Sequence, residues 1–167
     1  MITKLDKIAK DVVQLLQSIG CTLSTAESCT GGLISGAVTA VPGSSSVFGY
    51  GACTYANEAK IKLLGVKAET LEKYGAVSEQ TALEMAMGIR TLSGSDYSVV
   101  TTGIAGPDGG TPEKPVGTVW IGFSSEKKTF AVKFLFDGKG FPEETDKRSA
   151  IRLEAVYEAL TLLINNI

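Results

Sequence analysis

The feature that most constrains the fold is the alternation of short β-prone runs with amphipathic helical stretches through the first hundred residues. Apolar side chains recur every three or four residues in the helical stretches, and glycines such as Gly20 and Gly65 mark their ends. Helices are predicted over residues 3–18, 33–41, 57–65, 71–74 and 78–92, and strands over 21–26, 48–55 and 96–102. Such alternation predicts crossover units on a parallel sheet.

The last part of the chain follows a different pattern. Residues 118–124 and 129–136 read as two strands joined by a turn at 126–128, and so short a connection makes them antiparallel. A final helix is predicted from Pro142 to about Asn165. The whole pattern predicts one α/β domain over residues 1–167, a three-layer α/β/α sandwich with a mixed, mostly parallel sheet and one antiparallel strand.

Composition excludes several classes of function. The net charge of -2 gives no general attraction to nucleic acid or to an anionic membrane. The amphipathic, charged amino terminus is not a signal peptide, and no apolar run approaches about 20 residues, so we expect a cytoplasmic protein. Three cysteines without CxxC spacing, in a chain with no histidine, predict free thiols and no metal site.

The absence of histidine also means that any hydrolytic base must be another group. Residues 41–65 place three serines in a glycine-led turn, Ser44 to Ser46, then a strand, then Tyr55 and Lys60. A serine can act as a nucleophile if a buried lysine near a helix N-terminus loses its proton. We expect the serine turn to face Tyr55 and Lys60 across the strand, with the phenol as a relay. An ordinary turn, a core-edge aromatic and a surface lysine remain the alternative.

Two glycine-containing junctions follow predicted strands. The first, Glu27 to Gly32, offers the N–H groups of Thr30 and Gly31 to a phosphate or an oxyanion, although its glycines also suit tight packing. Cys29 has no histidine to activate it, so a buried inert thiol is expected there. The second junction, Thr101 to Gly110, opens a glycine- and proline-rich loop that extends to Gly117. Ligands of open α/β sheets bind beyond the carboxyl ends of strands, which makes this long loop a candidate binding element.

The final helix carries Arg148, with Arg152 one turn later. A guanidinium can clamp a phosphate through two hydrogen bonds. Pairing with Glu144 or Asp146 on the helix face is the alternative.

Several stretches together resemble one known family in order and over nearly the whole chain. They are AESCTGG, PGSS, TYANEAK, GAVS, TGIAGPDGGTPEKPVGTVW and the late arginine-bearing helix. These motifs are similar to the C-terminal domain of the competence-damage-inducible CinA family, whose stand-alone PncC-type members are nicotinamide-nucleotide amidases. The resemblance implies hydrolysis of the carboxamide of nicotinamide mononucleotide, a pyridine nucleotide, without metal or cofactor. It also implies a homodimer.

The resemblance implies roles for individual residues. Its catalytic set falls on Ser45, Tyr55 and Lys60, with Ser44 and Ser46 as alternative nucleophiles because this turn holds three serines. Ser28 matches a serine at the family's active site, and Thr102 and Arg148 match positions associated with nucleotide binding. Together with the two junctions, this gives the expected substrate-binding residues Ser28, Thr30, Gly31, Thr102, Gly103, Gly106 and Arg148. The lead into the last helix is longer than is usual in the family, so the position of Arg148 carries less weight. The rival interpretation is a non-catalytic nucleotide-binding or interaction module linked to competence or DNA recombination.

Overall fold

The computed structural model describes residues 3–142 and 145–167. The helices are α1 (Lys4–Ile19), α2 (Leu33–Thr39), α3 (Asn57–Leu64), α4 (Ala68–Tyr74), α5 (Glu79–Ser93) and α6 (Lys147–Ile164). The strands are β1 (Leu23–Glu27), β2 (Phe48–Cys53), β3 (Tyr97–Gly103), β4 (Thr118–Ser125) and β5 (Thr129–Leu135), and Ser44–Ser46 forms a 3-10 turn. Every predicted helix and strand is present.

Local sequence explains most of the helix ends. Thr3 and Asp6 form a capping box at the start of α1, and Gly20 ends it with a φ of 65°. Ser78, a residue type typical of helix starts, caps α5: its hydroxyl accepts from the Thr81 N–H at 3.2 Å. Asn57, of a similar type, is the first residue of α3 and does not cap it.

The start of the final helix is the main difference from the predicted bounds. We expected it at Pro142, whereas α6 begins at Lys147 because the Asp146 side chain accepts from the Ser149 N–H at 3.0 Å. The intervening part of the predicted start, residues 143–144, lies outside the described residues.

The sheet has the order β2-β1-β3-β4-β5. β1 pairs in parallel with β2 and β3, and β4 pairs antiparallel with β3 and β5. Four strands therefore point the same way and β4 alone is reversed, which confirms the predicted mixed sheet.

Helices cover both faces of the sheet. α1, α2 and α6 pack together on one face, over a core that includes Leu16, Ile34 and Phe123. α5 lies on the other face with α3 and α4 beside it, over a smaller core that includes Met85 and Ile89. The α/β/α layering is thus confirmed. The carboxyl ends of β1, β2 and β3 meet at one edge, where Glu27 is in register with both Cys53 and Thr101.

Candidate active site

A cleft of about 280 Å³ lies at the shared carboxyl edge of β1, β2 and β3. Seven of the ten predicted site residues line it. A site at this position agrees with the expectation that ligands bind beyond the carboxyl ends of the strands. Its walls are formed by Ser28, Cys29, Tyr55, Lys60, Ala76, Val77, Thr102, Gly103, Ile104, Ala105, Gly106, Asp108, Gly109 and Arg148. The predicted composite site is therefore assembled in one place, but not from all the expected parts.

The centre of the buried end is a contact between Lys60 and Ser28. Lys60 is only 1% exposed, and its Nζ lies 3.1 Å from the Ser28 Oγ. Its other hydrogen-bond partners are two main-chain carbonyls, Thr54 O at 2.7 Å and Tyr55 O at 3.3 Å. Burial lowers the pKa of Lys60 from its usual 10.5, against a smaller opposing effect of nearby Cys29.

This geometry directs the lone pair of a neutral amine toward the serine. A neutral amine has two N–H groups and one lone pair, and carbonyl oxygens can only accept hydrogen bonds. When the two N–H groups are used by Thr54 O and Tyr55 O, the lone pair faces Ser28, which then donates its hydroxyl proton. In the ammonium form all three groups donate. The arrangement accommodates both ends of a proton transfer without rearrangement.

The predicted nucleophile, Ser45, lies elsewhere. The turn that holds Ser44, Ser45 and Ser46 precedes β2, whereas Tyr55 and Lys60 follow it. The two groups therefore lie at opposite ends of this strand. The five residue steps of β2 span about 17 Å at 3.3 Å per step. The turn instead contacts the carboxyl end of α1, where the Gln17 Nε2 donates to Gly43 O at 3.0 Å. The serine turn therefore does not face Lys60 of the same chain, contrary to the expectation. Ser28, and not Ser45, lies beside the Lys60 amine.

Tyr55 and Arg148 meet at the open end of the cleft. Tyr55 is 64% exposed, and its hydroxyl accepts from the Arg148 Nη2 at 3.2 Å. The Arg148 Nη1 donates to the Gly106 carbonyl across the cleft. Arg148 thus faces the cleft. Among the described residues it forms no ion pair with Asp146, and Glu144, the other partner considered, lies outside them. Among the described residues the Tyr55 hydroxyl makes no hydrogen bond to Lys60, so the expected relay is not in place.

Thr30 and Gly31, which were predicted to offer N–H groups to an anion, do not line the cleft, and the Gly31 N–H donates to Ser28 O at 3.1 Å. The buried Glu27 carboxylate accepts from the Gly32, Ile34 and Ser35 N–H groups at 2.9–3.0 Å and so occupies the start of α2. Thr30 is fully buried, and its hydroxyl bonds to Glu27 at 2.6 Å. Gly31 is exposed, with a φ of 59°, but does not line the cleft. Its tight turn agrees with the packing alternative.

The remaining predicted residues lie on the loop side of the cleft. Thr102 is fully buried, and its hydroxyl donates to Ala76 O at 2.7 Å, so it holds a wall and does not present a free hydroxyl. Gly103 packs so closely on β4 that an added Cβ would lie 2.7 Å from Thr118 O. Gly106 has a φ of 81° and offers its carbonyl to Arg148.

Two residues near the site were not assigned to it from the sequence. Glu27 was not selected although it directly follows a predicted strand, and Arg152 was noted only as the arginine one turn after Arg148. The Arg152 guanidinium donates to Cys29 O at 3.1 Å and to Thr30 O at 2.9 Å. The signal for Glu27 was a carboxylate at a strand end, separated from the next helix by one short turn. Nothing in the sequence alone pointed Arg152 at this turn.

The thiols agree with the prediction of free, inert cysteines. All three are unpaired, and burial raises the pKa of Cys29 to about 11. Over residues 3–142 and 145–167 no cluster of side chains has the ligands of a metal site. No helix in the described part of the chain is long and apolar enough to span a membrane.

Comparison with known proteins gives a consistent family. A family model described as the CinA C-terminal domain matches residues 5–167. A putative competence-damage inducible protein from Caldanaerobacter subterraneus is 54% identical over 158 residues, which cover 95% of this chain and 36% of that protein. A nicotinamide-nucleotide amidohydrolase PncC from Enterobacter agglomerans is 46% identical over 158 residues, which cover 94% of this chain and 92% of that protein. The chain spans about a third of the length of the Caldanaerobacter relative and of two similar relatives from Thermoanaerobacter.

Solved structures agree with the sequence relatives. The competence/damage inducible protein CihA from Agrobacterium tumefaciens superposes with a TM-score of 0.89 at 41% identity, covering 98% of this chain and 95% of that one. A CinA superfamily protein from Escherichia coli gives 0.87 at 33% identity, covering 98% and 90%. From the matched family model, the relatives and the shared fold, the chain belongs to the CinA C-terminal domain family.

Proposed function

We propose that this chain is an amidohydrolase that deamidates nicotinamide mononucleotide to nicotinate mononucleotide and ammonia, with Ser28 as nucleophile and Lys60 as base. The observation that carries the proposal is the buried Lys60 amine, held by two carbonyls with its third position 3.1 Å from the Ser28 hydroxyl. A serine activated by a lysine needs no histidine, in keeping with a chain that has none. The name of the PncC relative, which this chain covers almost completely, supports the substrate.

The reaction follows from these contacts. Neutral Lys60 takes the hydroxyl proton of Ser28 as Oγ forms a bond to the carboxamide carbon. The Lys60 ammonium then gives that proton to the departing nitrogen, the carbon–nitrogen bond breaks and ammonia leaves. Water activated by the again neutral Lys60 hydrolyses the resulting ester. Neither step requires a metal or cofactor.

The negative oxygen of the intermediate needs nearby donors. The Thr-Gly-Gly junction does not supply them, because its three residues do not line the cleft. The Gly31 N–H donates to Ser28 O, and the Gly32 N–H donates to Glu27. Cys29 and Ala105 line the cleft, and their backbone N–H groups have no acceptor among the described residues. We assign these two N–H groups to the oxyanion. Loss of one such donor lowers kcat by about 10²–10³ in well-studied enzymes.

The other end of the cleft suits the phosphate. Arg148 is the cation there, and its hydrogen bonds to Tyr55 and Gly106 are single contacts that a doubly charged phosphate can replace. The carboxylate of Asp108, also in the wall, is placed to accept from ribose hydroxyls or to face the pyridinium. Tyr55 is therefore assigned to substrate binding rather than to proton relay.

The test is an ammonia-release assay with nicotinamide mononucleotide on the wild type, Ser28→Ala and Ser45→Ala. We expect turnover by the wild type, loss of at least about 10³-fold with Ser28→Ala and a change of less than about threefold with Ser45→Ala. A fully active Ser28→Ala protein would refute the assignment of the nucleophile. Thermal stabilisation of the wild type by this nucleotide without any ammonia release would favour the binding module instead.

A further inference from the structure

Hydrogen bonds from several parts of the fold hold the turn that carries Ser28. The Ser28 N–H donates to Thr101 O at 2.9 Å, which extends the β1–β3 ladder by one residue. The Gly31 N–H then donates to Ser28 O at 3.1 Å and closes the turn. These two bonds fix the main chain of Ser28 but leave residues 29–32 dependent on other groups.

Glu27 holds the far side of this turn from within the protein. It is fully buried, and its Oε2 accepts from the Thr30 hydroxyl and from the Gly32 and Ile34 N–H groups. Its Oε1 accepts from both the N–H and the hydroxyl of Ser35 at 2.9 and 2.8 Å. Backbone N–H groups can only donate, so both oxygens must act as acceptors, as a carboxylate does. The charge is stabilised by five donors and by the start of α2.

Arg152 holds the same turn through its carbonyls. It comes from α6, on a different element, and donates to Cys29 O and Thr30 O at 3.1 and 2.9 Å. An added Cβ at Gly31 would lie 3.4 Å from the Arg152 Nη2, so the guanidinium sits directly against the turn. After Ser28, N–H groups of the turn and of the start of α2 thus donate to the Glu27 carboxylate, while the Cys29 and Thr30 carbonyls accept from the Arg152 guanidinium.

We propose that Glu27 and Arg152 are positioning residues that keep the Ser28 hydroxyl within reach of Lys60. This inference rests on the proposed function. Lys60 is fixed separately by Thr54 O and Tyr55 O, so a shift of the turn changes the 3.1 Å distance instead of moving both partners together. A displacement of about 1 Å in such a pair can lower a rate by about 10²-fold.

The test compares Glu27→Gln and Arg152→Met with a matched control, Glu154→Gln. The glutamine at position 27 keeps the shape, but its NH₂ group faces at least one N–H donor of the turn. Glu154 is also a buried carboxylate that accepts from two glycine N–H groups, those of Gly138 and Gly140 at 3.0 and 2.6 Å. Since its loop does not line the cleft, the control removes the same chemistry away from Ser28.

We expect kcat to fall by about 100-fold in Glu27→Gln and Arg152→Met, with KM within about threefold of the wild type. Rates are normalised to the folded fraction from circular dichroism. Glu154→Gln should lose less than about threefold in kcat. Arg152→Lys, which retains a cation for one carbonyl, should recover part of the Arg152→Met loss. The rise of activity with pH should stay where it is in the wild type, because the variants leave Lys60 buried and keep its hydrogen bonds to Thr54 O and Tyr55 O.

Folded Glu27→Gln and Arg152→Met proteins with kcat within about threefold of the wild type would overturn the proposal. If Glu27→Gln does not fold, Arg152→Met alone decides, and full activity there overturns it equally. A general loss of stability without a positioning role would lower the folded fraction but leave kcat per folded molecule intact.

A second readout separates this inference from the choice of substrate. A fluorophosphonate bonds to the Ser28 Oγ with loss of fluoride while Lys60 takes the proton, and mass spectrometry follows the adduct. A wild type that does not hydrolyse nicotinamide mononucleotide, but is labelled faster than both variants, would refute the proposed function and support the positioning roles. A wild type that is neither labelled nor active would refute both.

Discussion

Replacing Lys60 with methionine should separate activity from stability. Methionine fills nearly the same volume but has no base, so the Ser28 proton has no acceptor. General-base catalysis contributes about 10²–10⁴-fold, equivalent to about 3–5 kcal/mol of activation free energy at 1.36 kcal/mol per tenfold. The substitution also leaves Thr54 O and Tyr55 O without their amine donor, at a cost of about 1–3 kcal/mol per buried group. Removal of a buried amine, whose desolvation costs several kcal/mol, offsets that loss.

The pH dependence gives the sign of the effect. Burial lowers the pKa of Lys60, so the neutral, reactive amine becomes populated below pH 10.5 and activity should rise with pH through that lowered pKa. Between the lowered pKa and 10.5 the unfolded chain binds the extra proton, so wild-type stability also rises with pH there. The methionine variant lacks this dependence. Its stability relative to the wild type should therefore be most favourable at neutral pH and decline toward pH 10.

Initial rates of ammonia release and melting temperatures between pH 6 and 10 measure both effects. Lys62→Met is the matched control, because Lys62 lies on the same helix and is exposed. It should keep its activity and the pH profile of the wild type. The reasoning fails if Lys60→Met keeps more than a tenth of the wild-type rate, or if the wild-type rate does not change over this pH range.

Three further predictions test other parts of the site and the fold. Arg148→Met should raise KM for the nucleotide by about 10-fold or more, because a hydrogen bond to a charged group contributes about 1.5–3 kcal/mol. KM for the riboside, which lacks the phosphate, should be unchanged. Lys147→Met is the control, because Lys147 is the neighbouring residue and is exposed. Cys29→Ala should keep kcat within about threefold, because a thiol with a pKa of about 11 is almost entirely protonated at neutral pH, and kinetics would expose a larger role. Gly88→Ala should lower the free energy of unfolding, measured in urea titrations, by at least about 1–3 kcal/mol, because the new Cβ would lie 1.9 Å from a carbonyl oxygen at the end of α3. Gly36 is the control: it is exposed, a Cβ there meets nothing within 4 Å, and Gly36→Ala should be neutral or stabilising.

The fold was predictable because its determinants are local. Helical periodicity, glycine ends and the cap at Ser78 each depend on neighbours within a few residues, and the hairpin follows from the short turn after β4. The late start of α6 was missed because two signals competed, the proline at 142 and the capping aspartate at 146. The aspartate prevails since its side chain satisfies an N–H at the helix start.

The candidate site was predictable only in part. Lys60 and the two glycine-containing junctions were expected in one cleft because each follows the carboxyl end of a predicted strand, whereas Arg148 was assigned to the site through the family resemblance. The misplacement of Ser45 came from reading closeness along the chain as closeness in space. A turn before a strand and a residue after it lie at opposite ends of that strand. The predicted strand at residues 48–55 was therefore enough to separate Ser45 from Lys60. The contact of Arg152 with the Ser28 turn joins residues 123 positions apart, which no local pattern encodes.

The placement of Glu27 decides how the charges of a nucleotide must be arranged in this cleft. A helix start that follows a strand is the usual site for a phosphate in such folds, but here the protein supplies its own anion at that position. A second anion beside a buried carboxylate would be repelled, and the N–H groups of Gly32, Ile34 and Ser35 already donate to Glu27. Among the described residues that line the cleft the only cations are Lys60 and Arg148, and Lys60 must be neutral to act as a base. For the substrate proposed above, we therefore expect the phosphate at Arg148 at the open end, with the uncharged carboxamide reaching Ser28 at the buried end.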